Sequence, residues 1–365
     1  MPASVSLALV ALMSSACGGG FWGSDDAAPS PAPTPTPSSP SPSPSPSPAP
    51  SPTAAGPTVD ASKIPMGFTG YSTDYLTDTT TTAEPNDIGA FRTVCLFSHM
   101  AFDDPIVFPG QAGKSHLHVF FGNSGTNANS TAASIASTGN ATCRGGTVNR
   151  TAYWAPAMIE TGTGAPVAPS SLITYYKTGY EGVTPGSVQA LPQSLRMIAG
   201  DSKASSGADN PGGRPTRFTC MNNATGNGSP WTSSIQACKV GDSLWQVIVF
   251  PQCWDGVNLD SPDHKSHMSY PVNSNGCPST HPVPLPEITM NVIYTITAAD
   301  APQRWRLASD AYDANQPGGY SSHADWFNGW KPDVMATWIR NCDQASMDCK
   351  AGLLGNGKLL LGVGN

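Results

Sequence analysis

From about residue 58 onward the chain is written in short apolar runs separated by turn-forming residues. Leu172 to Tyr176, Trp245 to Phe250 and Ile288 to Ile296 are rich in β-branched and aromatic residues and stand between turn signals, so each predicts a strand. In the last, Ile288, Met290, Val292, Tyr294 and Ile296 alternate onto one face, and the opposite face is also partly apolar. Helical periodicity is scarce. One helix is predicted over Asp333 to Asn341, where Val334 and Trp338 stand four apart and Pro332 precedes the first turn. The expected architecture is therefore mainly β: a single sandwich- or jelly-roll-like domain with long ordered loops and few short helices. The Asn-, Gly- and Ser-rich stretches 122–142 and 200–230 are read as surface excursions.

The N-terminal region has a different pattern. Residues 4–16 are small and apolar, and Cys17 follows Ser14-Ser15-Ala16. This reads as an export signal over residues 1–16, with a cleavage site resembling the lipobox that precedes an acylated cysteine. Two features depart from that pattern: no Lys or Arg precedes Cys17, and Ser14 stands where Leu is usual. A plain secretory signal is the alternative. Residues 29–52 hold 12 prolines in 24 positions, alternating with Ser, Ala or Thr. Such a run cannot build a core and prefers polyproline II, reaching about 75 Å as a semi-rigid spacer. Residues 17–57 thus read as a disordered Pro/Ser-rich stalk, and 58–365 as the folded head. The expected location is the cell surface, lipid-anchored through Cys17, or secreted.

Eight cysteines remain once Cys17 is set aside, an even set that reads as disulfides in an exported domain. Pairing of sequence neighbours is expected: Cys95 with Cys143, Cys220 with Cys238, Cys253 with Cys277, and Cys342 with Cys349. No CxxC pair is present to suggest thiolate zinc. Charged residues make up only 12% and the net charge is −7, so nucleic acid is not an expected partner. A monomer is expected, touching a membrane only through a lipid.

Candidate chemistry lies with the histidines. All seven fall in the head, and five collect in the clusters Ser115-His116-Leu117-His118, Asp263-His264-Lys265-Ser266-His267 and Ser322-His323-Ala324-Asp325. His116 and His118, spaced i, i+2, would share one face of a strand and could be two ligands of a single divalent metal. Imidazole also shuttles protons and fixes loop backbone, so a metal-free polar site and purely structural histidines remain open readings. Asp104, Asp255, Asp260, Asp263 and Asp325 lie within or beside these motifs, whereas none of the four glutamates of the head does. Paired carboxylates are what glycoside cleavage requires. Trp254, Tyr270, Trp326 and Trp330 could stack on sugar rings, or belong to the core. GxSxG, HExxH and GxGxxG are absent, and Gly113-Lys114-Ser115 lacks the upstream glycine of a P-loop.

The segments 104–110 (Asp-Pro-Ile-Val-Phe-Pro-Gly), 115–123, Cys253-Trp254-Asp255-Gly256, 263–271, His281-Pro282-Val283 and 323–330 together resemble the DUF1996 family of exported bacterial and fungal proteins. The likeness runs from roughly residue 90 to 345. It implies a domain without agreed catalytic residues, and the cell-wall-binding modules on some fungal members point toward polysaccharide. Two expectations follow. The first is a cell-surface, carbohydrate-directed hydrolase with Asp104, His116, His118, Asp263, His264, His267, His323 and Asp325 in one cleft. The second is a noncatalytic polysaccharide- or metal-binding surface module.

Overall fold

Two antiparallel-rich sheets face each other through side chains that alternate along every strand. The computed structural model describes residues 55–209, 215–272 and 274–363; the proposed signal, Cys17 and most of the stalk lie outside them. The larger sheet has seven strands in the order Thr216–Met221, Ser243–Val249, Glu287–Thr295, Ser171–Lys177, Ala90–Cys95, Met347–Ala351 and Glu84–Pro85. Only the pairing of Met347–Ala351 with Ala90–Cys95 is parallel. The smaller sheet has five antiparallel strands: Arg196–Gly200, His323–Phe327, Ala152–Pro156, His118–Gly122 and Phe97–Ala101.

The expected mainly β, single-domain architecture is observed, with few short helices. Ile288, Met290, Val292, Tyr294 and Ile296 are all buried, and they meet Val119, Phe121, Tyr153, Ala155, Ala324 and Trp326 of the smaller sheet in one core. Polar bridges cross that core. Tyr153 and Tyr176 join hydroxyl to hydroxyl at 2.7 Å, and Gln246 donates to the Ser322 hydroxyl at 3.0 Å. The helix begins at Pro332, as its ring allows at a first turn. It ends at Trp338 and continues as a wider π turn over Ile339–Asp343.

The four disulfides join the expected partners: Cys95–Cys143, Cys220–Cys238, Cys253–Cys277 and Cys342–Cys349. They fit a protein that folds in an oxidising compartment. Among the described residues no helix is long and apolar enough to cross a membrane.

Neither excursion expected over 122–142 and 200–230 is merely surface loop. The first carries the helix Ala132–Ser137, whose Ile135 is buried with Ile106, Phe120, Trp154 and Phe327 against the outer face of the five-stranded sheet. The second contains the edge strand Thr216–Met221, in which Phe218 is wholly buried. Its short period-two pattern is masked in the sequence by flanking Gly, Asn and Ser.

Candidate functional site

The outer face of the five-stranded sheet carries polar chemistry where an ordinary sheet face would meet solvent. In the strand His323–Phe327, Ala324 and Trp326 point into the core. His323 and Asp325 therefore project to the other side, as period-two alternation requires. His118 and Phe120 project the same way from a strand two places across the sheet. The loop leading into that strand brings His116 and Asp104 over them. His323 pairs with Gly200 in the sheet, where a Cβ would meet the Ser322 carbonyl oxygen at 2.4 Å. A glycine is needed for that approach, at φ +89°.

Three imidazoles meet here. Ring centroids are 4.3 Å apart for His116 and His118, 5.0 Å for His116 and His323, and 5.8 Å for His118 and His323. A ligating atom of each lies within 4.8 Å of the others, and Asp104, His118 and Asp325 satisfy the same limit. Five ligand-type side chains thus form two overlapping triads that share His118.

The hydrogen bonds fix the tautomers. His118 Nδ1 lies 2.9 Å from the Asp103 carbonyl oxygen, and His323 Nδ1 lies 2.8 Å from that of Ser321. A carbonyl only accepts, so each Nδ1 carries the proton and each Nε2 presents a lone pair. His118 Nε2, His116 Nε2 and both oxygens of Asp325 are buried without a hydrogen-bond partner. Buried polar atoms are rarely left so, and four together on one cluster call for a shared partner. Imidazoles braced through Nδ1 on backbone carbonyls, with Nε2 free, are the arrangement that metal-binding histidines adopt.

Electrostatics point the same way. Burial pushes His118 down to about 4, although its bond to the Asp103 carbonyl opposes this. His323 also falls to about 4, through burial and then the neighbouring His118. Burial and the two neighbouring imidazoles hold His116 far below the usual histidine range. All three are therefore neutral near pH 7, the form that ligates a cation. Burial drives Asp325 well above the usual carboxylate range, reinforced by Asp104, and raises Asp104 itself. Asp104 Oδ1 is braced at 2.9 Å by both the Ile106 and Val107 amides. A divalent cation would favour both ionised carboxylates.

The cluster opens into a cavity of about 360 Å³ that is also lined by the segment 263–265 with Ser202 and Lys203. A wider depression of about 580 Å³ lies near Asp74, Lys331 and Lys358, but both its lysines are paired, Lys331 with Asp74 and Lys358 with Asp78, and it holds no histidine. The chemistry lies at the smaller cavity.

The DUF1996 family model, described as a domain of unknown function, matches residues 104–330. The chain belongs to this family. No curated protein and no solved structure matches it. The match begins at Asp104 and spans all five side chains of the cluster, so the DUF1996 region contains the whole constellation.

The structure corrects several expected site residues. His267 is not in the cluster. It is buried, and both ring nitrogens are engaged, Nδ1 with the Ser261 hydroxyl at 2.9 Å and Nε2 with the Arg196 carbonyl at 2.7 Å. Asp263 lines the cavity but serves its loop. Its Oδ1 accepts from the Ser261 hydroxyl, the Lys265 amide, and both the amide and hydroxyl of Ser266, and these bonds hold the carboxyl far below its ordinary range. Trp326 and Trp330 are not a sugar platform. Both are buried in the core with their indole N–H directed at the Tyr176 hydroxyl. Trp254 gives its indole N–H to the Asn258 carbonyl, and Tyr270 its hydroxyl to the Val249 carbonyl; neither lines the cavity. His264 does line it, with Nδ1 2.9 Å from Asp260 Oδ1 and a left-handed φ of +59°. His99 and His281 are spent on backbone carbonyls elsewhere.

Sequence reasoning missed the two backbone braces and the cationic wall. Asp103 was the findable one. It adjoins Asp104 and ties the covering loop down through the Gly113 and Ala128 amides. Lys203 gives no signal in a Ser-rich loop.

Proposed function

We propose that this chain is a metal-dependent hydrolase acting on cell-wall carbohydrate outside the cytoplasm. His116, His118 and His323 would hold one divalent ion together with the Asp325 carboxylate, with Asp104 beside it. The observation that carries the reading is the set of buried Nε2 lone pairs and carboxylate oxygens that face one another without a partner. Mixed imidazole and carboxylate donors suit zinc or a similar first-row ion better than calcium or magnesium, which take oxygen ligands. Such an ion supplies Lewis acidity and a water acidified toward neutral pH.

The protein's own contribution is positional. Backbone carbonyls 103 and 321 hold two imidazoles in the ligating tautomer, and the sheet fixes their spacing. His116 is only partly buried and faces the cavity, so the cluster has an open side to a ligand. That openness distinguishes a catalytic from a closed structural site. A noncatalytic metal-binding module is the second reading, favoured by the near-complete burial of His118 and Asp325.

The test has two arms. Protein dialysed against zinc should retain about one equivalent, and the His118→Ala/His323→Ala double variant should retain none. Zinc-loaded protein should then release product from a β-glucan, mannan, arabinogalactan or peptidoglycan. No retained zinc overturns the metal reading. One equivalent of zinc with no product from any polymer leaves the binding module.

A further inference from the structure

We propose that the cavity takes an oxyanion-bearing ligand, a phosphoryl- or carboxylate-substituted sugar unit, held between the imidazole cluster and a cationic rim of Lys203 and Lys265. This deepens the hydrolase reading by naming the substrate class, and it rests on that reading and on the lysines that line the same cavity.

Lys265 is fixed in place. Its Nζ donates to the Gly200 carbonyl oxygen at 2.7 Å, and Asp263 pins the Lys265 and Ser266 amides. One of the ammonium's three N–H groups is thereby used and two remain. Lys265 lines the same cavity as His323 and Asp325. Lys203 lines the same cavity from the neighbouring loop. Among the described residues neither lysine is paired with a carboxylate.

The acids of the lining are already committed. Asp263 takes four donors from its own loop, Asp104 two backbone amides, and Asp325 faces the imidazoles. Asp260, just behind the wall, is spent on Arg196 and His264. With the cluster neutralised by a divalent ion, the two ammonium groups outnumber the one remaining ionised carboxylate of the lining, Asp263, and leave the cavity with a net positive charge. A neutral glycan would instead call for aromatic faces. The cavity offers one aromatic ring besides its histidines, Phe108, because Trp254, Tyr270, Trp326 and Trp330 all lie elsewhere. Charged donors opposite a metal are what an oxyanion requires.

Calorimetric titration of the full chain, disulfides intact, tests this with inorganic phosphate and glucuronate as probes and glucose as the neutral control. Each is measured with and without bound zinc, on wild type and on Lys203→Ala/Lys265→Ala. Either anion should bind, and glucose should not. The double variant should weaken the anion about 10-fold or more, and added salt should weaken it in the wild type. A preference for phosphate marks a phosphoryl group, and one for glucuronate marks a uronate. Glucose binding as tightly as glucuronate overturns the proposal, as does unchanged anion affinity in the double variant or no anion binding in either form. Failure to take up zinc would remove the metal reading alone, since the lysine comparison on zinc-free protein still decides this one. Both lysines are exposed at the surface, so the variant should unfold at the wild-type temperature.

Discussion

Replacing Asp325 with asparagine should have opposite effects with and without metal. The wild-type carboxyl is about 1% exposed, and both oxygens lack partners. Burial raises its pKa well above the ordinary 3.8. A carboxyl raised in this way contributes most to stability below its unfolded pKa, and that contribution is lost as pH rises toward the folded value. Each unit between 3.8 and the working pH costs about 1.4 kcal/mol, so at pH 7 the penalty has a ceiling of about 4 kcal/mol. Asparagine is nearly isosteric, does not ionise, and offers N–H groups to the partnerless Nε2 of His118, which lies within ligand distance of Asp325. Zinc-free Asp325→Asn should therefore be as stable as wild type at pH 7 or more so, by about 1–3 kcal/mol. With zinc at 100 times its dissociation constant, the wild type should gain about 2.7 kcal/mol, while the variant, short of one ligand, should gain far less. Urea unfolding at pH 7 with EDTA or zinc measures all four quantities. A variant destabilised by more than about 1 kcal/mol in EDTA and stabilised by zinc as much as wild type would refute the reasoning.

Asp343 is wholly buried with both oxygens partnerless and its pKa raised by burial, so wild-type stability should decline with rising pH above about 4. Asp343→Asn should flatten that slope by up to about 1.4 kcal/mol per pH unit, read by unfolding between pH 4 and 7; an unchanged slope would show that the carboxyl has a partner. Replacing Cys95 and Cys143 by alanine opens a 48-residue loop and should cost about 4 kcal/mol on the chain-entropy model, against about 2 for Cys342 and Cys349, seven apart. Equal losses in thermal or urea unfolding would contradict that ordering. Trp330→Phe removes the 3.0 Å bond to the Tyr176 hydroxyl and should cost about 1–3 kcal/mol without changing zinc uptake or ligand affinity. A loss of ligand affinity at unchanged stability would instead return Trp330 to the site.

The sequence carried the strand pattern clearly wherever alternation was strong. Glu287–Thr295 reads as a strand because every second residue is large and apolar. Thr216–Met221 does not, because only Phe218 and Cys220 stand out among polar neighbours whose burial comes from the adjoining strand Ser243–Val249. Of the clustered histidines, His118 and His323 converge because the sheet sets them on one face, and His116 joins them from the loop just before the strand His118–Gly122. His267 looked equivalent on the page, yet its turn sends both nitrogens back to Ser261 and Arg196. The tryptophans misled for a related reason. Trp326 directly follows Asp325, and in a strand adjacent residues face opposite sides. A site residue on the outer face therefore places its neighbour in the core. The carbonyls of Asp103 and Ser321 carry no residue-type signature, so their bracing role appears only in three dimensions.

Anomalous diffraction from crystals grown with zinc tests the central claim most directly. A single strong peak about 2.0–2.2 Å from the Nε2 atoms of His116, His118 and His323 and from an Asp325 oxygen is the predicted result. A map without a peak among these side chains, or with zinc only at surface histidines such as His281, would contradict it.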